Sequence, residues 1–341
     1  MLLGPIAVAF ALALIGGWAY LRWTPSGAMD LPNERSSHSR PTPRGGGLVI
    51  LAGFFAGLAV WLAMGGSLSP RALGWLAGAL LVAAVSFVDD LRPLPAGLRL
   101  VVHIFGAVVV TLLGVELRSL VGIVALPFAF AYVIVLTNVY NFMDGIDGLA
   151  ASQAIVAGIA TAIAGLLIVN PLVTIGGSLL AAGSAGFAIY NLPPARLFMG
   201  DVGSTFLGFS FAGLALLANI GVGGGKLPNE FAFLLFAPFL FDSMVTLVRR
   251  MLRGERWYTA HRSHYYQRLV LGGLSHAQVT ALYSGLGVIA AAAALAGLVA
   301  GEPLRLLLAV VAYAPMLAVV AIVWRREQPN RPPTVVTQGQ S

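Results

Sequence analysis

Five of the seven aspartates in this 341-residue chain lie in short polar breaks between long apolar runs: Asp89 and Asp90 in FVDDLRP, Asp144 and Asp147 in NVYNFMDGIDGLA, and Asp201 in LFMGDVGS. Carboxylates beside hydrocarbon are costly, so such a group marks a functional site at the membrane edge. Asp89 and Asp90 are adjacent on a helix end, where neighbouring side chains point about 100° apart, so they do different jobs. One is free for a metal or a substrate proton while the other pairs with a basic group. Acids at a helix C-terminus also oppose the helix dipole, which argues against a merely solvated end. Asn138, Asn141, Asp144 and Asp147 recur every third residue, with Gly145 and Gly148 allowing a tight turn. Carboxylate and amide oxygens are the ligands a hard divalent cation prefers, and such a cation pairs naturally with a phosphate-bearing substrate. An EF-hand is excluded, because DGIDG lacks the alternating ligands and terminal glutamate. Asp201 lies between Gly200 and Gly203, so backbone donors and a carboxylate share a small volume. Phe198, three residues earlier, stacks on a base or anchors at the membrane interface; taken alone, the second reading is the stronger.

Basic residues face these acids. PNERSSHSRPTPRGGG, Pro32 to Gly47, ends in Arg44 and a triple glycine just before an apolar run. Its glycine amides either approach an anion at a helix start or form a hinge beside lipid headgroups. RRMLRGERWYTAHRSHYYQRL, from Arg249, carries His261, Arg262, His264 and Arg268, which suit phosphate or sugar oxygens or, as the bland reading, anionic lipid. No carboxylate joins the two histidines in a zinc-protease pattern. Asp242, within an apolar run, either pairs with a neighbouring helix or reaches the site. His103 reads as an interior histidine. GVGGGK at 221–226 fails as a phosphate loop because Leu227 follows the lysine.

The elements that hold these residues are membrane helices. The chain is 58% hydrophobic and 10% charged, with mean hydropathy +0.88, where soluble domains carry roughly 25% charged residues. Eleven candidate spans follow, with cores at 2–21, 46–66, 71–88, 98–115, 119–137, 149–169, 171–190, 203–222, 229–249, 277–299 and 304–324. The first lacks a basic leader and cleavage site and reads as a retained span. Only Arg71, Arg118, Lys226 and Arg305 of the 20 basic residues fall in even-numbered breaks. The positive-inside bias therefore puts the odd breaks, and all five loop aspartates, in the cytoplasm, with the N-terminus outside. Topology explains the net charge of +7 without nucleic acid as a partner. The absence of cysteine excludes disulfides and thiolate sites. The expected fold is thus an all-α polytopic membrane protein of about 10–11 transmembrane helices. A single domain spans 1–325 and a disordered cytoplasmic tail 326–341, rich in Pro, Thr and Gln near the end.

Together, Asp89-Asp90, NVYNFMDGIDG at Asn138–Gly148, FMGDVGS at Phe198–Ser204 and HRSH at His261–His264 resemble the polyprenyl-phosphate N-acetylhexosamine-1-phosphate transferases. That superfamily includes the MraY translocase and the WecA enzymes. The resemblance runs over roughly residues 30 to 270 and keeps the order of the motifs. It implies a Mg²⁺-dependent enzyme, with Mn²⁺ as a substitute, in the bacterial inner membrane. A polyprenyl phosphate acceptor attacks the β-phosphorus of a UDP-N-acetylhexosamine donor and releases UMP. The resemblance assigns Mg²⁺ to Asp201 and Asn141, the lipid phosphate to Asp89, and a supporting role to Asp90. Gly145, Asp147, Asn191 and Phe198 match positions that cradle uridine. Asn138 and Asp144 belong to the same substrate-binding set, with Arg44 beside them. His261, Arg262 and His264 match positions that meet the diphosphate or sugar. A homodimer is implied by the family likeness alone. SHSRPTPRGGG and HRSHYYQRL depart from the MraY pattern, which points to WbpL-like enzymes that initiate O-antigen or other lipopolysaccharide-type surface chains rather than to a muramyl-pentapeptide transferase. A transporter would instead show broken helices at mid-membrane and internal repeats. A CDP-alcohol phosphotransferase would need D-G-x-x-A-R where Asp144-Gly145-Ile146-Asp147 stands.

Overall fold

Ser69 and Asn170 accept hydrogen bonds from Ala72 N–H and Val173 N–H, each followed by a proline in the first turn, and so open two helices in the manner their residue types favour. The computed structural model describes residues 2–23, 29–30, 41–92, 94–114, 120–256 and 261–327. It is built from α1 (Leu3–Trp23), α2 (Gly47–Ala63), α3 (Pro70–Leu91), α4 (Ala96–Gly114), α5 (Leu120–Phe142), α6 (Leu149–Leu167), α7 (Pro171–Asn191) and α8 (Gly200–Asn219). There follow α9 (Glu230–Leu235), α10 (Ala237–Leu252), α11 (Tyr265–Leu271), α12 (His276–Gly297), α13 (Glu302–Tyr313) and α14 (Pro315–Glu327). A two-residue antiparallel pairing, β1 (Met29–Asp30) with β2 (Thr42–Pro43), closes the base of the first loop. Among the described residues, eight helical spans are long and apolar enough to cross a membrane, the last of them α13 and α14 counted together, and two shorter apolar helices accompany them. The chain is an all-α polytopic membrane protein.

Two of the eleven expected spans are interrupted. The run at 229–249 divides at Phe236 into α9 and α10, where Pro238 in the first turn of α10 supplies no backbone donor. The run at 304–324 divides at Ala314, ahead of Pro315, into α13 and α14. Arg326 and Glu327 are the last turn of α14 rather than part of a tail. The remaining tail residues 328–341 lie outside the described residues, as do 31–40, including Arg35, His38 and Arg40.

α8 is the axis of the bundle. It is buried along almost its whole length and packs on α2, α3, α4, α5 and α7. α6 and α7 pack closely: a Cβ at Gly158 or Gly177 would come within 2.7 Å of the facing backbone. Small residues are what let membrane helices approach so tightly. The alternation of helices brings the C-terminal ends of α3, α5, α7 and α10 to the same end of the bundle as the N-terminal ends of α2, α4, α6, α8 and α12, as the contacts below demonstrate.

Candidate active site

Asp90, in the last turn of α3, turns away from its own helix C-terminus and toward the start of α8. Its two oxygens accept the backbone N–H groups of Asp201 and Val202, each at 3.0 Å. A helix start leaves its first amides unpaired and carries partial positive charge, so this carboxylate caps α8 from outside. The Arg44 guanidinium closes the other side of Asp90 at 2.6 Å, and the Arg44 carbonyl accepts Tyr20 O–H at 2.7 Å. Burial opposes the Arg44 charge, but Asp90 beside it outweighs that and holds its pKa above the ordinary value. Two of the glycine amides that follow are taken up by the chain itself. Gly46 and Gly47 donate to the carbonyls of Phe198 and Met199 at 2.9 and 2.8 Å, and Phe198 donates to Pro43 at 2.8 Å. The first and fourth loops are thus stitched backbone to backbone. A Cβ on Gly47 would sit 2.1 Å from Gly203 Cα, which explains glycine there by closeness alone.

Asp89 points elsewhere, as adjacent helix positions require. It accepts Leu94 N–H at 2.6 Å and the Arg99 guanidinium at 2.9 Å, while the same Arg99 nitrogen lies 3.4 Å from Asp201. Asp89 and Asp201, 112 residues apart in sequence, therefore share one cation. Asp201 keeps 29% of its side chain open. Asn141, in the last turn of α5, accepts Ser204 O–H at 2.7 Å, and Ser204 also reaches the Gly200 carbonyl at 3.2 Å, which ties α5 to the first turn of α8. Asn138, one turn earlier, donates to the Ile134 carbonyl of its own helix at 2.8 Å. Asp144 retains some exposed surface, yet protein encloses it on its inner side. Burial first, and then the charges of Asp201, Asp90 and Asp147, hold its carboxyl well above the usual range.

The third, fourth and fifth loops interlock around this acidic group. Asp147 accepts Ala195 N–H at 3.0 Å, lies 3.2 Å from His276 Nδ1, and its carbonyl accepts Thr280 O–H at 2.7 Å. Asn191 is buried and joins Gly148 N–H to the Leu197 carbonyl, at 3.2 and 3.0 Å. Both residues tie neighbouring loops together through these bonds. Phe198 is partly exposed in the strand-like segment before α8. Gly145 lies under Tyr266, where a Cβ would come 2.1 Å from the phenol oxygen, and that phenol donates to the Phe142 carbonyl at 2.9 Å. The His261 and His264 rings lie 5.0 Å apart, with partly exposed Arg262 between them in sequence. His261 Nδ1 meets Ser263 Oγ at 2.9 Å. Burial, with the neighbouring charges of His264, Arg250 and Arg249, lowers its pKa to about 4. His103 is buried in α4, as the sequence suggests.

Arg99, Ser204 and His276 take part in this constellation, and sequence reasoning did not single them out. Arg99 had a readable signal, because a cation in the first turn of a helix opposes the dipole and needs a partner. Ser204 and His276 become meaningful only once their helices are packed. Among the described residues, no three His, Asp or Glu side chains form a ready-made cation cage. The donor set fits a cation of the Mg²⁺ kind nonetheless. Such ions keep several waters and take one or two protein oxygens plus substrate phosphates, and the partly open Asp201 carboxylate and the Asn141 amide supply oxygens of that kind.

Sequence comparison agrees with this construction. A profile described as Glycosyl transferase family 4 matches residues 72–219. The chain is 30% identical over 266 residues to a probable undecaprenyl-phosphate N-acetylglucosaminyl 1-phosphate transferase of Bacillus subtilis, covering 73% of this chain and 72% of that protein. It is 31% identical over 307 residues to a decaprenyl-phosphate N-acetylglucosaminephosphotransferase of Mycobacterium leprae, covering 78% and 76%. It is 30% identical over 235 residues to a phospho-N-acetylmuramoyl-pentapeptide-transferase of Desulforudis audaxviator, covering 68% and 66%. Polytopic helices with acids gathered at one end of the bundle define a class of membrane-embedded transferases. This chain belongs to glycosyl transferase family 4, within the polyprenyl-phosphate N-acetylhexosamine-1-phosphate transferase superfamily.

Proposed function

We propose that the chain transfers N-acetylhexosamine-1-phosphate from a UDP-sugar to undecaprenyl phosphate at the cytoplasmic face of a bacterial inner membrane. The observation that carries this reading is the meeting of Asp89 and Asp201 on Arg99, beside the Asp90–Arg44 pair, at one end of an apolar bundle. The names of the relatives favour N-acetylglucosamine as the sugar. The loop departures from the MraY pattern favour initiation of an O-antigen or related surface polysaccharide over muramyl-pentapeptide transfer.

In this reading an oxygen of the lipid phosphate attacks the β-phosphorus, the bond from that phosphorus to the bridging oxygen breaks, and UMP leaves with the bridging oxygen. The nucleophile is already anionic, so positioning and charge neutralisation carry most of the barrier reduction. Arg99 draws the lipid phosphate toward Asp89, and Arg44 maintains the cap that sets the first turn of α8. Asp201 and Asn141 would hold Mg²⁺, which when bound neutralises charge on the transferring phosphoryl group. Phe198 offers a ring at the donor side. His261, neutral near pH 7, contributes hydrogen bonds there rather than charge.

The test incubates purified enzyme in bilayers with undecaprenyl phosphate, Mg²⁺ and a panel of UDP-N-acetylhexosamines and UDP-MurNAc-pentapeptide. UMP release with a lipid-diphosphate-GlcNAc product is expected. Turnover of the pentapeptide donor alone would overturn the subgroup, and no UMP from any donor would overturn the reaction.

A further inference from the structure

Asp242 lies in α10 and is 0% exposed. A buried charge is strongly unfavourable unless every oxygen is satisfied. Here both are. Oδ1 accepts Tyr265 N–H at 2.9 Å and Thr246 O–H at 3.4 Å and lies 3.2 Å from His264 Nδ1. Oδ2 accepts Tyr266 N–H at 3.0 Å and the Tyr283 phenol. The two backbone donors are the first residues of α11, so one carboxylate both starts that helix and grips the histidine that precedes it.

Which nitrogen of a neutral imidazole carries the proton is set by what the other groups accept. An acceptor at Nδ1 places the proton there and leaves Nε2 with its lone pair. The His264 ring is held by Phe142, His261 and Tyr266 at centroid distances of 6.0, 5.0 and 5.8 Å. We propose that Asp242 is a positioning residue: through the Nδ1–H contact it fixes the tautomer and ring orientation of His264, with Tyr283 and Thr246 holding Asp242 in turn, so that Nε2 is presented to the substrate. Substrate contact by His264 rests on the transferase reading above; the tautomer does not.

The test labels the enzyme with ¹⁵N-histidine in detergent micelles. His264 is assigned as the signal lost in His264→Gln, which is feasible with only 5 histidines. Expected at pH 8 is an Nδ1–H, bare-Nε2 tautomer in wild type, replaced by a mixed or inverted tautomer in Asp242→Asn. In turnover, Asp242→Asn lowers kcat/KM by roughly tenfold or more, as loss of a histidine-orienting partner does. In a His264→Gln background the same change adds less than about twofold, because the two residues act as one. An Nε2–H tautomer in wild type, an unchanged tautomer in Asp242→Asn, or multiplicative losses in the double variant would each overturn the proposal. The wild-type spectrum decides even if Asp242→Asn does not fold. A correct tautomer in an enzyme that turns over no UDP-sugar would sink the transferase reading and leave the Asp242–His264 link standing.

Discussion

Asp89 and Asp90 differ by one position and by everything they touch. Asp90 caps α8 and binds Arg44, while Asp89 faces Arg99 and the open side of Asp201. The doublet and its divergence were readable from helix geometry, but the identity of each partner was not, because Arg99 and Val202 are brought there only by tertiary packing. Replacing Asp201 or Asp89 by Asn keeps shape and removes charge; both variants are expected to insert and melt like wild type yet lose transfer at least about a hundredfold, comparable to loss of one transition-state electrostatic contact. Near-normal turnover in both would remove them from the chemistry. Phe198→Ala is expected to weaken UDP-sugar binding by about 1–3 kcal/mol, the range for stacking on a base, read by titration calorimetry; an unchanged affinity would leave Phe198 as an interface anchor. His261 carries a pH signature. Its folded pKa of about 4 lies below the ordinary 6.5, so the unfolded chain binds the extra proton first and stability falls as pH drops from about 6.5 toward 4. Melting curves of His261→Gln against wild type from pH 7.5 to 5 should show a shallower acid decline in the variant, and parallel curves would contradict the half-buried neutral ring.

At the scale of elements, hydropathy located the eleven apolar runs but not the breaks inside two of them. Pro238 and Pro315 sit within windows whose average hydropathy masks a single missing donor. Glycine was harder still. The triple glycine before α2 has the composition of an anion cradle, and only the facing chain, the Phe198 and Met199 carbonyls and Gly203, reveals a backbone seam instead. Gly47→Ala is the sharp test of that seam. Its methyl would meet Gly203 backbone, which cannot rotate aside, so a loss of about 1–3 kcal/mol is expected from overpacking. Thermal unfolding in detergent measures it, and an unshifted midpoint would mean that α2 and α8 are not in contact at this level.

For the whole molecule, the distribution of arginine and of aspartate predicts the same sidedness from different residues, and the structure gathers all five loop aspartates at one end. Which compartment that end faces is a prediction for labelling. The chain contains no cysteine, so single cysteines at Arg196 and at Lys226 need no background correction. A membrane-impermeant maleimide applied to intact cells should modify the Lys226 site alone, and modification of the Arg196 site would invert the assignment. Long-range architecture was legible because the bilayer imposes it; the site was legible only as a list of acids, because their pairing depends on which faces of α3, α5 and α8 happen to meet.

The start of a helix is ordinarily an attractive berth for any passing phosphate. Here Asp90 already occupies that berth on α8 with the protein's own oxygens. An anion approaching the first turn of α8 would have to displace a carboxylate that Arg44 also clasps, so the chain itself closes that helix start.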